Sequence, residues 1–528
     1  MRAGPRTLQS YLENQQVGTC RSVSSAVGNR KSTSIARYKD KMGQMDNTES
    51  TPQQALLDVK REMQDLQDRQ RELLRELERV GTSLEHTQTR YAELTNRCAP
   101  ISSLPDELLA KIFALSQDPA PALPVQFKPL EVIVSQVTQR WRRISISNPI
   151  LWRIISIRTS RSTVKLATYL ERSRPRPIDV HLQIRQRPTL NQDTLSDIRS
   201  DVERIMLLLL RHSIRLAAFR VTSDSRKGLN AIIPRLRDLS VPLLHSITLH
   251  LLTTDERYNI VEYRPDSEHS FYDIFRRSAP LLSTITLDGI GLGSLMPPLH
   301  SLVHLEIRNC HHFSSNSLLT ERQLREVLAA SQRLVRLVFF DSILDSAAWH
   351  DSSLMHMPCL REIELGRLRA HTSGILSHLS APNLQKLTIR GQTNEIDILE
   401  AFVMAPEVAR GNLTYGNLWS LSLFDVASNR HIWDLMFQIF PSITHFTSHT
   451  SSSAQFRLMA STLSASEPDS VPWPDLSVLA ICAQGHDEDT MQTLITTRQA
   501  AGAPIKSVHV HFGGYQWLRE KVELVLSG

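Results

Sequence analysis

Cys310-His311-His312 sets a thiol and two imidazoles side by side, the side chains that ligate zinc or supply a thiolate nucleophile. A metal site needs a second ligand pair at defined spacing, and none follows. The remaining cysteines, Cys20, Cys98, Cys359 and Cys482, lie far apart and form no Cys-x-x-Cys pair. The triplet therefore reads as a turn after a strand. Gly289-Ile290-Gly291-Leu292-Gly293 could approach a phosphate closely. It lacks the Lys-Ser/Thr of a P-loop and the dinucleotide spacing, so it also reads as a turn. Gly-x-Ser-x-Gly, His-Glu-x-x-His and the kinase set do not occur. The sequence predicts a non-enzyme with no catalytic residue, no metal and no cofactor. Asn412-Leu413-Thr414 is a glycosylation sequon, unused if the chain is intracellular.

The chain has 528 residues, with 60 Lys+Arg against 54 Asp+Glu, 41% hydrophobic and 22% charged. That composition excludes a wholly disordered chain. A net charge of +6 demands neither nucleic acid nor an anionic membrane. Base does exceed acid between Arg140 and Arg215, but few aromatics interleave there, so nucleic acid is not an expected partner. Glycine, at 19 residues, is about half its usual frequency, against folds rich in phosphate loops. No apolar run approaches the ~18 residues of a membrane span, and no secretory signal opens the chain. Sparse, odd-numbered cysteines point to a reducing compartment, cytoplasmic or nuclear.

Residues 1–50 are rich in Ser, Arg and Gln and read as a disordered basic tail. A transit peptide and a start at Met45 both stay open. Over 53–97 a heptad seam appears: Leu56, Val59, Met63, Leu66, Gln70, Leu73, Leu77, Val80, Leu84, Thr87, Tyr91 and Leu94. Such a narrow stripe needs another helix to bury it. A homodimer, the rest of this chain and another protein are the possible occupants. Gly81 lies off the seam, and Pro100 ends the helix.

Between 101 and 157 the pattern is short and helical. Ser103 can cap a helix, with Pro105 in its first turn and Asp106 and Glu107 beside the positive dipole end. Leu104, Leu108, Leu109, Ile112 and Phe113 form its apolar face. A Pro-rich insert (Pro119, Pro121, Pro124, Pro129) precedes a second helix carrying Leu130, Val134, Val137 and Trp141, with Arg140, Arg142 and Arg143 at its end. Asn148-Pro149-Ile150-Leu151-Trp152 closes the run.

Leu104-Pro105-x-Glu107-Leu108, Ile112-Phe113, Val137-x-x-Arg140-Trp141-Arg142 and Pro149-x-Leu151-Trp152 together resemble the F-box, in the form common in fungal F-box proteins. Thr138 stands where such sequences often have Cys. The resemblance implies a docking site for a Skp-family linker protein, which would bring cullin and RING proteins indirectly into a ubiquitin ligase. Leu104, Pro105, Glu107, Leu108, Leu109, Ile112 and Phe113 would bind the linker; Val137, Trp141, Leu151 and Trp152 would pack the module.

From 177 to 528 apolar residues recur at i, i+3, i+5: Leu216-Phe219-Val221, Leu244-Ile247-Leu249, Leu282-Ile285-Leu287, Leu302-Leu305-Ile307, Leu334-Leu337-Phe339, Leu360-Ile363-Leu365, Leu384-Leu387-Ile389, Leu418-Leu421-Leu423, Leu476-Leu479-Ile481 and Ile505-Val508-Val510. A weaker copy starts at Ile443-Phe446. Prolines precede several, and helical patterns fill gaps: Phe271-x-x-Ile274-Phe275, Leu324-x-x-Val327-Leu328, Ile432-x-x-Leu435-x-Phe437. The fold class expected is α/β: a coiled-coil helix, a small all-α F-box, then a right-handed α/β solenoid. The solenoid resembles a degenerate leucine-rich-repeat array without its usual Asn ladder; Ile290, Cys310, Leu368 and Gln392 hold those places. Trp517 to Leu526 reads as a capping helix. Residues between the apolar ones, among them His304, Glu306 and Glu362, project from the concave face. Arg308, Arg336, Phe340, Glu364, Lys386 and Arg390 are the candidates there to bind a protein client. The resemblances imply a client-binding adaptor of a Skp–cullin–F-box ligase; a non-degradative scaffold is the alternative.

Overall fold

The computed structural model describes residues 52–117, 129–159, 163–185, 194–224, 226–252, 272–293, 295–309, 318–341, 343–345, 349–350, 353–367, 371–391, 415–426, 428–450, 452–464, 471–483, 488–510 and 523–526. Two compact units separate between Ser103 and Leu104. The basic tail, the Cys310-His311-His312 triplet, the sequon and Pro119, Pro121 and Pro124 lie outside the described residues.

Among its described residues the first unit carries one α-helix, Pro52–Cys98, of 47 residues. At 1.5 Å per residue it runs about 70 Å. Proline suits the first turn, where its missing N–H has no partner to lose. Ala99 leaves the helix, and Pro100 opens a 3-10 turn, Pro100–Ser103. No residue of the long helix is buried.

The second unit is α/β, built on a fourteen-stranded sheet. Its strands are Ile154–Arg158, Ile178–Ile184, Leu216–Ser223, Ser246–Leu251, Thr284–Asp288, His304–Arg308, Arg336–Phe340, Glu362–Gly366, Lys386–Arg390, Ser420–Phe424, His445–Thr450, Val478–Ala483, Ser507–Val510 and Glu523–Leu526. Each pairs in parallel with the next along the chain. Parallel neighbours need a crossover, and helices such as Thr163–Arg172, Glu321–Ala330 and Arg430–Ile439 supply several.

The i, i+3, i+5 spacing has a local cause. The first apolar residue closes a turn: the amides of Leu360, Leu384 and Leu418 donate to the carbonyls of Met357, Ala381 and Tyr415 at 3.3, 3.0 and 2.9 Å. Pro358 and Pro382 sit where such a turn wants φ fixed near −65°. The next two apolar residues alternate along the strand and share its inner face. Every triplet from Leu216-Phe219-Val221 to Leu476-Leu479-Ile481 is buried.

The opposite strand ends are joined differently. Gly289, Asn309, Asp341, Arg367 and Asp425, each one residue past a strand, have φ of 75, 54, 68, 53 and 49°. The first four amides donate to the last carbonyl of the next strand at 2.8, 3.0, 2.8 and 2.8 Å, and the Asp425 amide to His449, one residue before the next strand's end, at 2.7 Å. Gly391 does the same to Phe424 at 2.8 Å. This backbone ladder ties the turns together without an asparagine side-chain ladder. The choice of Gly, Asn and Asp at four of the five left-handed positions follows their tolerance of that region.

Several expectations are corrected. The sheet begins at Ile154, inside the 101–157 span read as wholly helical; the β-branched Ile154-Ile155-x-Ile157 favours a strand. The helix expected at Phe271–Phe275 is absent: Tyr272–Asp273 pairs with Leu295–Met296, and Phe275 takes φ 57°. Ile274 and Phe275 are both buried, and Pro280 lies too close for a helix to grow. Of the capping helix expected over Trp517 to Leu526, residues 517–522 lie outside the described residues, and Glu523–Leu526 is a strand that pairs with the sheet edge at Ser507–Val510. The single helix expected from Leu130 to Trp141 is two, Leu130–Val134 and Gln139–Ser147. Thr138 divides them, its hydroxyl accepting from the Trp141 amide at 3.0 Å. Ser103 caps nothing; its hydroxyl donates to the Pro100 carbonyl at 2.7 Å.

Candidate functional site: a helical docking face and a charged sheet face

The helices Asp106–Leu115, Leu130–Val134 and Gln139–Ser147, with the 3-10 turn Pro149–Trp152, form one cluster at the start of the sheet. Asp106 fastens it. Its carboxylate meets Arg140 at 2.6 Å and Arg143 at 3.3 Å, and Arg140 also donates to the Leu104 carbonyl. The Arg140 hydrogen bond, helped by Arg143, holds the Asp106 carboxyl below its ordinary range. Gln117 donates to the Leu151 carbonyl at 2.6 Å, and the Trp152 indole donates to the Ser145 carbonyl at 2.8 Å.

The residues expected to bind a linker divide by helix face. Leu109 and Phe113 are buried, and the Phe113 ring lies 4.9 Å from that of Trp141. Leu104 packs against the same core. Leu109 and Phe113 hold the cluster together and are corrected from contact residues to packing residues; Leu104, only partly buried, keeps an exposed part. Leu108 and Ile112 face outward, 47% and 41% exposed, with Leu115 beyond them. Pro105 precedes the helix and Glu107 lies in its first turn beside Asp106. Of the packing candidates, Leu151 and Trp152 are buried and Trp141 is partly so. Val137 is corrected: it lies in the turn before Thr138 and is 45% exposed, and the neighbouring Ile133 is exposed as well. A period of 3.6 explains the division, since residues four apart share a face and adjacent residues do not.

The sheet face opposite the helices carries every client candidate. Strand register aligns them in rows: His304, Arg336, Glu362 and Lys386; then Glu306, Val338, Glu364 and Thr388; then Arg308, Phe340, Gly366 and Arg390. Glu364 is the hub. It accepts from Arg390 at 2.9 Å and lies 3.8 Å from Arg336 and 3.9 Å from Arg308. Glu362 meets Lys386 at 3.1 Å and Arg336 at 3.8 Å. Glu306 pairs with Arg308, and His304 lies 3.5 Å away. His304, close at 3.5 Å, and the Arg308 hydrogen bond together outweigh burial and draw the Glu306 carboxyl down to about 2. Gly366 leaves room for the Phe340 ring, where a Cβ would collide. Arg308 and Arg367 lie 5.4 and 5.7 Å from that ring's centre.

Further residues extend this face. Arg390 lies 3.9 Å from the Phe424 ring centre and Lys386 5.5 Å from that of Trp419. Phe424 in turn stacks on His449, and Trp419 meets His445 edge-on. On the other side His250 meets Asp288 at 2.9 Å. The same positions of the next triplets, read one strand further, would have found them. The face offers guanidinium planes, carboxylates and aromatic rings held by mutual contacts, a surface for polar and peptide recognition. Among the described residues, no group of three His, Cys, Asp or Glu could hold a metal, and no helix is long and apolar enough to cross a membrane. Compared with known proteins, the chain matches no family model and no curated protein.

Proposed function

We propose that this chain is the client-recognition subunit of a Skp–cullin–F-box ubiquitin ligase. The observation that carries the reading is the pair Leu108 and Ile112. They are exposed on the helix bearing Leu104-Pro105-x-Glu107-Leu108, while that helix's other face is fastened into the fold. Half-exposed leucine and isoleucine on a rigid helix are what a partner helix would cover. The sheet is read as a leucine-rich-repeat-like right-handed solenoid; the triplets, the Pro-marked turns and the chain-ordered strands support this. The Arg308–Arg390 face would hold a protein client. The mechanism is positional: a client held near a ubiquitin-loaded partner reacts at high effective concentration, and this chain makes no bond itself.

The test is capture of a purified Skp-family protein by the immobilised full chain, compared with Leu108→Asp/Ile112→Asp. Native capture with loss in the variant, at unchanged circular dichroism, supports docking. Absence of native capture, or undiminished capture by the variant, refutes it. The fully exposed Pro52–Cys98 helix also favours a second reading, a non-degradative scaffold that assembles through helix pairing. Recovery of the linker without cullin from cells would select the scaffold.

A further inference from the structure

We propose that the Pro52–Cys98 helix pairs with the same helix of a second copy, antiparallel, in the register that sets Gln70 against Thr87. The inference does not rest on the adaptor reading. The seam residues Leu56, Val59, Met63, Leu66, Leu73, Leu77, Val80, Leu84, Tyr91 and Leu94 are all more than half exposed. Leu56, Met63, Gln70, Leu77, Leu84 and Tyr91 hold position a of the heptads, and Val59, Leu66, Leu73, Val80, Thr87 and Leu94 hold position d.

Three features select orientation and register. First, the β-branched residues Val59, Val80 and Thr87 all sit at d, with Leu and Met prevailing at a. Parallel two-stranded coils favour the reverse; in an antiparallel pair each a faces a d, and the difference disappears. Second, Gln70 and Thr87 are the polar seam residues. In the proposed register they face each other, while Met63 faces Leu94, Leu66 faces Tyr91, Leu73 faces Leu84 and Leu77 faces Val80 of the second copy. A shift of one heptad sets Gln70 against Val80 or Leu94, leaving an amide against an apolar side chain. Third, Leu74 and Gly81 are both off the seam, at e. Leu74 is 59% exposed, and a Cβ on Gly81 would meet nothing within 4 Å in its own chain. The antiparallel register brings Leu74 over Gly81 of the second copy, and Gly81 under Leu74, so the bare backbone seats the leucine.

The flanking charges do not separate this arrangement from a parallel one, so the choice rests on the seam and on Gly81. A parallel pair sets Glu62 by Gln67, Arg69 by Leu74, Glu76 by Gly81 and Arg90 by Thr95 of the second copy, with no opposite charges in contact. The antiparallel pair sets Glu62 by Arg97. It also sets Arg69 by Arg90, a repulsion softened because Arg69 already meets Glu72 at 3.2 Å.

Cys98 is exposed and provides the readout. In the proposed pair the two Cys98 thiols lie at opposite ends, about 60 Å apart, and each faces Val59 of the second copy. Light scattering on the full chain at tens of micromolar should show a dimer. Mild oxidation of Val59→Cys should then give a covalent dimer whose mapped disulfide joins position 59 to Cys98, and the native chain should give no Cys98–Cys98 link. Gly81→Leu, a better helix former in isolation, should weaken dimerisation at least tenfold by filling the seat of Leu74. A monomer, a trimer or tetramer, a Cys98–Cys98 disulfide, or dimerisation undiminished by Gly81→Leu overturns the proposal.

Discussion

Leu108 and Leu109 are neighbours in sequence and opposites in role, and truncating each in turn tests the docking helix most directly. Leu109 is 0% exposed, beneath Phe113 and the Gln139–Ser147 helix; Leu108 is 47% exposed. Leu109→Ala removes three buried carbons and leaves a cavity, at a cost of about 2–4 kcal/mol. Because the fold is a long array, that loss falls first on the local cluster, and whole-chain unfolding is a poor probe of it. It raises the open population of the Asp106–Leu115 helix by roughly 30-fold to several hundred-fold. Leu108→Ala removes carbons already half in water and costs no more than about 0.5–1 kcal/mol. Hydrogen exchange of the amides from Leu109 to Gln117 reads both, with the Glu362–Gly366 strand as internal control. Under the docking proposal the binding losses reverse the order: Leu108→Ala at its intrinsic effect weakens capture of a Skp-family protein by about tenfold. If Leu108→Ala accelerates exchange as much as Leu109→Ala, or Leu109→Ala leaves exchange at its native rate, the assignment of the two faces is wrong.

Glu306 predicts the acid behaviour of the sheet face. Its carboxyl, drawn to about 2 in the fold against an ordinary 4.5, contributes stability that is present above about pH 4.5 and lost as pH falls toward 2. Acid titration of Glu306→Gln should therefore show a shallower loss across that window, on the order of 2 kcal/mol, with no change in slope above pH 5. Arg498 is fully buried and donates to the Leu463, Pro472 and Trp473 carbonyls at 3.2, 2.8 and 2.8 Å. Arg498→Met leaves those carbonyls without their donor and should cost at least about 2 kcal/mol, seen as faster proteolysis between Ser453 and Val510, with no rescue by Lys. Gly391→Ala would place a Cβ 2.6 Å from the Asp425 carbonyl oxygen, whereas at Gly416 nothing lies within 4 Å. Gly391→Ala should lower the melting temperature and Gly416→Ala hold or raise it, by about 1 kcal/mol each way.

Much of the sheet was legible because its signal is local. Turn, Pro and alternating strand residues fit in six positions, so Leu360-Ile363-Leu365 or Leu384-Leu387-Ile389 predicts its own burial. The first two strands escaped because their apolar runs, Ile154-Ile155-x-Ile157 and Ile178-x-Val180-x-Leu182, lack the turn leucine that marks later copies. The ladder of left-handed residues was hidden for another reason. Gly289, Asn309, Asp341, Arg367 and Asp425 differ in type and agree only in backbone angle and bonding. In the Asp106–Leu115 helix the composition of the apolar set was readable, but its division was not. Leu108 and Leu109 look equivalent until the positions of Arg140 and Trp141 decide which side is inside. The charged sheet face was legible as far as Arg390, yet its mutual neutralisation was not, because the Glu364 hub depends on register across strands separated by roughly twenty-five residues each.

The joint between helices and sheet bears on whether a positional mechanism is physically reasonable. Trp152 ends the helical cluster and is buried, with Tyr169 edge-on at 5.0 Å and the Arg172 guanidinium 4.4 Å from its ring. Glu131, in the Leu130–Val134 helix, is buried and accepts from the Tyr169 hydroxyl at 2.5 Å; burial raises its carboxyl and lowers the nearby Lys165 ammonium. Ile154 follows Trp152 by two residues, and the Asp179 amide donates to the Arg153 carbonyl at 2.9 Å. No flexible linker intervenes between these contacts and the first strand. From there, backbone hydrogen bonds run strand to strand as far as the Glu364 hub. A flexible joint would spread a bound client over a volume that grows with linker length and dilute its effective concentration. A client on the Arg308–Arg390 face would instead hold a fixed distance from whatever covers Leu108 and Ile112. Loosening the joint with Tyr169→Phe, which removes the donor of the buried bond and leaves both surfaces intact, should therefore reduce client ubiquitylation more than client or linker affinity. Equal losses in all three would place the defect in folding and remove the positional argument.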